Sequence, residues 1–263
     1  MTNKVKKTGK AEQKSLNIVQ LYPNLMNIYG DDGNAEVACR RAELYGYQVN
    51  LGAYNSIKDK KTLLAADLIL GGGGQDSGQQ AVQKDLAIIK DDLLKLAEDK
   101  VPMLMICGMY QLFGHYFRTK DGHKMDGIGL FDLTTVGGDK RLIGNVTIEN
   151  DELGRLIGYE NHSGVTKLHG DQAALGTIVK GYGNDGQGVS EGARRYNAIG
   201  TYLHGPVLPK NPRLADWLLE KAVEHRYGGT AKLIPVDDEA EKKLRQLDRV
   251  IEKARKIAAN RPQ

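Results

Sequence analysis

Cysteine is scarce in this 263-residue chain: only Cys39 and Cys107 occur, far apart, with no CxxC pair and no histidine-rich cluster. That scarcity argues against a disulfide framework and against a zinc site, so no metal is expected. Long apolar runs are missing too. No stretch of about 18 or more apolar residues is present, and the start, MTNKVKKTGKAEQKSLN, has basic charge with no hydrophobic segment behind it. A soluble, cytoplasmic protein without membrane insertion is the expectation. The third absence is a basic patch with aromatic platforms. The net charge is +4, but Lys and Arg concentrate in the first ten residues and in EAEKKLRQLDRVIEKARKIAANRPQ at the end, where acids alternate with them. Such a mixture reads as a solvated helical face, and nucleic acid is not an expected partner.

What is present suits one packed domain, since hydrophobic residues make up 40% of the chain. LNIVQLY (16–22) reads as a short strand ending at Pro23, and MNIYGDDGN after it reads as a loop. Residues 35–47 have apolar side chains at helical spacing and close at a glycine-bearing turn; 49–54 reads as a second strand. A third strand, ADLIL (66–70), runs directly into Gly71, Gly72, Gly73 and Gly74. Val82, Leu86, Ile89, Leu93 and Leu96 keep a 3.6-residue period, which predicts one long helix over 79–97. PMLMI (102–106) is a continuous apolar run suited to a strand buried on both faces.

The glycine-rich middle third, about 120–192, reads as strands and loops. Residues 198–203 form another predicted strand, and 212–227 a helix containing Leu214, Trp217, Leu218 and Ala222. Strands alternating with helices predict an α/β fold: an open, mostly parallel sheet covered by helices on both faces, with a β-rich middle section and a C-terminal helix. In that last helix Leu244, Leu247, Val250, Ile251 and Ala254 fall at helical spacing; packing on this domain is the preferred reading, packing on a partner the other.

The sharpest local feature is PMLMICGMYQ (102–111), a buried strand followed by Cys107, Gly108 and a helix start. A cysteine on such a turn is exposed at the carboxyl edge of the sheet, where a helix N-terminus favours the thiolate. The alternative is that Cys107 only fills space below the helix. Gly73 and Gly74 also follow a strand and, with the N–H of Gly108, could form an oxyanion hole; otherwise they are a plain turn. A phosphate cradle is disfavoured because GGGGQDSGQQ lacks the Walker lysine and the GxGxxG context. Among His115, His123, His162, His169, His204 and His225, His204 stands out because it ends a predicted strand in GTYLHGP; the others are expected in polar loops or on helix faces. His162, in YENHSG, is the second candidate for a base.

Taken in order, GGGGQD (71–76), CGMYQ (107–111) and GTYLHG (200–205) resemble the class I, Cys-His glutamine amidotransferases, and more narrowly the cobyric-acid-synthase-type branch. GYENHSG (158–164) and HGPVLPKNP (204–212) are most similar to the glutaminase subunits of lipid II isoglutaminyl synthase. The resemblance implies an amidotransferase domain over 16–228, flanked by a basic flexible tail (1–15) and a charged helical extension (229–263). It implies that Cys107 attacks the side-chain amide of L-glutamine and that His204 moves the protons. It further implies that Gln111 helps hold the substrate and that Arg141 binds its carboxylate, although an exposed surface arginine is the alternative.

The implied partner is a Mur-ligase-like subunit (MurT), which would use ATP and magnesium to activate the α-carboxylate of D-glutamate in lipid II. No cofactor is expected in this chain, and its work would be done in the cytoplasm, at the inner membrane surface through lipid II. The pattern departs from many class I members at Pro206, where they have a glutamate two residues after the histidine. The third member of the triad must then come from elsewhere in the chain or from the partner. Three other readings stay open: an ammonia donor for another ATP-dependent synthetase of the cobyric-acid type, a γ-glutamyl cysteine hydrolase of the same fold, and a binding module that has lost the chemistry.

Overall fold

The computed structural model describes residues 13–259. Most of the basic tail expected over 1–15 lies outside the described residues, and the first strand already begins at Ser15. Along the chain come β1 (Ser15–Leu21), α1 (Asp32–Leu44), β2 (Gln48–Tyr54), α2 (Lys60–Leu64), β3 (Leu68–Gly71), α3 (Asp76–Ile88), α4 (Lys90–Glu98), β4 (Met103–Ile106) and α5 (Gly108–Leu112). They are followed by β5 (Tyr116–Arg118), β6 (Lys124–Asp126), β7 (Leu133–Asn150), β8 (Gly154–Leu168), β9 (Gly176–Lys180), β10 (Ser190–Glu191), β11 (Ala193–Arg195), β12 (Ala198–Thr201), α6 (Pro212–Tyr227) and α7 (Asp238–Ala259).

The first sheet has the order β11-β12-β4-β3-β1-β2, parallel throughout except for the β11 edge. Every residue of β3, β4 and β12 is buried, which is why these strands are uninterrupted apolar or small runs. Strand order reverses between β1 and β3. Right-handed crossovers therefore send α1 to one face of the sheet and α3 to the other, and a crevice opens above the carboxyl ends at the switch. α6 joins α1 on its face, while α5 packs with α3.

The helix expected over 79–97 is two helices, interrupted at Ile89 (φ −97°, ψ 8°). All five periodic residues are buried nonetheless. The break turns α4 so that Ile89 and Leu93 stay on the core, which the apolar period alone could not distinguish from one straight helix. The first helix also starts earlier, at Asp76.

The middle third forms a second sheet, β10-β9-β7-β5-β6, with β8 paired to β7 in a long antiparallel hairpin. The hairpin register shifts between Gly137 and Leu142, so residues 138–141 bulge from the ladder. The sheets are joined at one point by a two-way backbone bridge between Tyr159 and His204. At another, the buried Glu191 carboxyl group accepts from the Thr201 hydroxyl (2.8 Å) and the Tyr202 N–H (2.6 Å).

α7 packs on this domain. Asp248 accepts from the buried Arg41 at 2.9 Å, and Arg255 donates to the carbonyls of Lys210 and Arg155 and to the Asn211 side chain. No helix among the described residues is long and apolar enough to cross a membrane.

Candidate active site

Cys107 sits between β4 and α5 with φ 50° and ψ −102°, a backbone conformation that L residues rarely adopt. Strain of this kind costs on the order of 1–3 kcal/mol and persists where surrounding structure over-determines it. Here the Cys107 N–H donates to Thr201 O on β12 (2.8 Å), and its carbonyl accepts from Gln111 N (3.0 Å). Gly108 must be glycine for close approach: a Cβ there would come 3.0 Å from Gly74 N and 3.1 Å from Gly74 O. The glycine run after β3 is thereby pressed against the thiol-bearing turn, and a Cβ on Gly73 would sit 3.4 Å from that of Cys107.

The thiol is not activated as its position at a helix start suggests. Burial pushes it up to about 12, and the nearby Asp31 carboxylate adds to this. The Gly108 N–H and the Arg141 guanidinium pull the other way and lose. α5 has only five residues, so its dipole is too short to outweigh desolvation.

His204 follows β12 and is fully buried. Its N–H donates to Tyr159 O (3.0 Å) and its carbonyl accepts from Tyr159 N (3.1 Å), while the Lys210 ammonium donates to the same carbonyl (3.2 Å). Burial, with His162, Lys210 and Arg141 nearby, pushes the imidazole down to about 3. Neither ring nitrogen has a hydrogen-bond partner. Pro206 packs on Gly33, so the position that is a glutamate in many class I amidotransferases serves packing here. At neutral pH Cys107 is therefore a neutral thiol and His204 a neutral imidazole with both ring nitrogens unpartnered.

A cleft of about 380 Å³ opens between Cys107 on the first sheet and Arg141, Asn161 and His162 on the β7–β8 hairpin. Arg141 projects from the bulge, donating through Nε to Asn161 Oδ1 (2.6 Å) and through Nη2 to the Tyr29 hydroxyl (3.4 Å). Gln111 lines the cleft but is committed within the chain. It donates to the Tyr202 hydroxyl (3.1 Å) and accepts from Gln79 (2.9 Å), bonds that fix the amide in the cleft wall.

His162 departs from the expected polar loop. It lies on β8, buried, stacked on Tyr202 at 3.6 Å, with Nδ1–H donating to Gly164 O (2.8 Å). Of the three expected oxyanion donors, Gly73 is occupied, its N–H donating to Asp31 Oδ2 at 2.7 Å. Gly108 aims its N–H at the Cys107 sulfur, and Gly74 lies alongside it.

Sequence reasoning passed over Asp31, Tyr29 and Asn161. Asp31 is buried, its Oδ1 has no partner, and burial pushes its carboxyl up to about 6. A DDG run in a predicted loop reads as a turn, and nothing in it signals that the first aspartate folds under the glycine loop. Among the described residues no group of three or more His, Cys, Asp or Glu could hold a metal.

Residues 17–212 match the CobB/CobQ-like glutamine amidotransferase domain. The chain is 38% identical over 232 residues to the lipid II isoglutaminyl synthase (glutamine-hydrolyzing) subunit GatD of Staphylococcus aureus (strain N315), covering 88% of this chain and 94% of that protein. It is 36% identical to the subunit of the same name from Streptococcus pneumoniae (strain ATCC BAA-255 / R6), covering 85% and 86%. A solved structure described as a glutamine amidotransferase superposes with a TM-score of 0.55 at 15% identity, covering 78% of this chain and 98% of that one, which supports the fold. Because the family match runs from β1 to the start of α6 and both relatives align over most of their own length, the chain belongs to the CobB/CobQ-like glutamine amidotransferases.

Proposed function

We propose that this chain is the glutaminase subunit of a lipid II isoglutaminyl synthase, hydrolysing L-glutamine to L-glutamate and ammonia. The observation that carries the reading is one cleft holding a strained cysteine and a guanidinium, lined by Tyr29, whose ring stacks on the proton-free His204 imidazole. Arg141 binds the substrate carboxylate. Cys107 Sγ attacks the side-chain amide carbon while its proton passes to His204, which suits two groups that are both neutral at rest. The developing oxyanion is received by the N–H groups of Gly74 and Gly108, and by that of Gly73 once Asp31 releases it.

His204 then gives the proton to the amide nitrogen, the C–N bond breaks, and ammonia leaves a γ-glutamyl thioester. Water, deprotonated by His204, attacks the thioester. The C–S bond breaks, and glutamate and the thiol are restored.

The ammonia goes to a Mur-ligase-like subunit (MurT), which binds ATP and magnesium and amidates the α-carboxylate of D-glutamate in lipid II at the cytoplasmic membrane surface. Support comes from the likeness to the two GatD proteins, each named as a subunit of a glutamine-hydrolyzing synthase. His204 has no carboxylate on its ring and Pro206 stands at the usual glutamate position. The partner supplies that carboxylate, and complex formation switches hydrolysis on. Ammonia and glutamate release from L-glutamine, measured for the free chain, the complex and Cys107→Ala, tests both parts. Cysteine-dependent release that rises in the complex is expected. Equal rates with and without the partner would sink the switch, and no release under any condition would sink the glutaminase reading.

A further inference from the structure

In the β1–α1 loop, Tyr29 touches three parts of the site at once. Its ring stacks on His204 at 4.2 Å with 25° between planes. Its hydroxyl accepts from Arg141 Nη2 at 3.4 Å. It also lies against the glycine loop: a Cβ on Gly73 would meet Tyr29 Cδ2 at 3.4 Å, and the neighbouring Ile28 N–H donates to Gly73 O at 3.2 Å. The tyrosine itself is half-buried, so the core does not need it.

The buried imidazole in this site has no hydrogen bond to fix its plane. Both ring nitrogens are unpartnered, and Pro206 occupies the position from which a glutamate would orient the ring. The backbone of His204 is held by Tyr159 and Lys210, but those bonds leave the side-chain torsions open. A flat partner at stacking distance restricts both the plane and the tilt of the ring.

We propose that Tyr29 is a positioning residue: its ring holds His204 in the plane needed for proton transfer, and its hydroxyl reports occupation of Arg141 by the substrate carboxylate. A carboxylate arriving at the guanidinium competes for Nη2 and frees the tyrosine hydroxyl, so the ring on His204 settles differently when the amino-acid end of glutamine is bound. This inference rests on the glutaminase reading for its substrate, but the stack itself does not.

The test uses Tyr29→Phe, which keeps the ring and removes the hydroxyl, and Tyr29→Leu, which removes the ring. In the complex with the partner, Tyr29→Phe is expected to lower KM for glutamine about threefold and leave kcat within about twofold, because no hydroxyl then competes with the substrate carboxylate for Arg141 Nη2. Tyr29→Leu is expected to lower kcat by about ten- to a hundredfold, part of the contribution a positioned general base makes.

Separately, the His204 ring is followed by NMR in the labelled full chain as pH is lowered. The surrounding charged and titratable groups, His162, Lys210 and Arg141, are the same in each variant. Its titration midpoint is expected to rise in Tyr29→Leu, because the ring loses its cover, and to stay in place in Tyr29→Phe. Equal kcat losses in the two variants, or a Tyr29→Leu protein with wild-type kcat and an unmoved midpoint, would overturn the proposal. If wild-type complex releases no ammonia yet the midpoint moves in Tyr29→Leu alone, the glutaminase reading fails while the stack stands.

Discussion

The two sheets contribute to the site by different physical means. The parallel sheet is buried on both faces and supplies its groups through backbone: a strained turn at Cys107, close-packed glycines, and the end of β12 carrying His204. The antiparallel hairpin has an open bulge and supplies side chains, Arg141 and Asn161, that are exposed or half-exposed and hydrogen-bonded to one another. Close packing leaves the first set no alternative geometry, whereas the open bulge of the hairpin can adjust around a ligand. Under the proposed mechanism, chemistry sits on the rigid half and recognition on the adaptable half.

The sharpest way to break that division is to remove one group from each half. Cys107→Ala should lower glutamine hydrolysis by at least about 10³-fold, because under the proposed mechanism its sulfur forms the thioester in the first step and leaves it in the second. A comparable rate in that variant would remove the parallel sheet from the chemistry.

The resting state of the nucleophile gives the next largest effect. With the thiol pushed up to about 12, alkylation of Cys107 by iodoacetamide in the free chain should rise about a hundredfold from pH 7 to pH 9 without levelling, as thiolate fraction climbs tenfold per pH unit. Cys39→Ser is the background of choice, since that thiol is also pushed up, to about 11. A plateau below pH 9 would instead indicate a thiolate–imidazolium pair.

On the recognition side, Arg141→Lys should raise KM about ten- to thirtyfold and leave kcat nearly unchanged, because lysine keeps the charge but loses the paired N–H geometry for a carboxylate. A fall confined to kcat would show that the hairpin takes part in the chemical step after all.

The smallest effect concerns the seam between the halves. Burial pushes Glu191 up to about 8 from its ordinary 4.5. A carboxyl with a raised folded value adds stability that is complete below about pH 4.5 and is lost as pH rises through about 8. Between pH 7 and 9 the wild type should lose about 1.4 kcal/mol from this group, roughly 3–5 °C in Tm. Glu191→Gln should lose less over the same interval in thermal melts, and parallel curves for the two proteins would place the ionisation elsewhere.

Much of the fold was legible because its signals are local. The runs 66–70 and 102–106 read as short strands next to glycine or cysteine turns, and the period from Val82 to Leu96 marks a helical face whether or not the axis breaks at Ile89. Cys107, His204 and the glycine run could be picked out because each ends a strand, and strands of one parallel sheet end at one edge. Gln111 was assigned to substrate by resemblance, and no one-dimensional pattern shows that Gln79 and Tyr202, from 32 and 91 residues away, already occupy its amide.

The sequence by itself determined the α/β architecture and the order in which the reactive residue types reach the sheet edge, since apolar period and strand-ending turns are properties of neighbouring residues. Only the tertiary structure decided that Asp31 takes the Gly73 amide, that Tyr29 covers His204 and bonds Arg141, and that the thiol rests protonated. Those outcomes depend on desolvation and on contacts between segments far apart in the chain, and both come into being only in the folded protein.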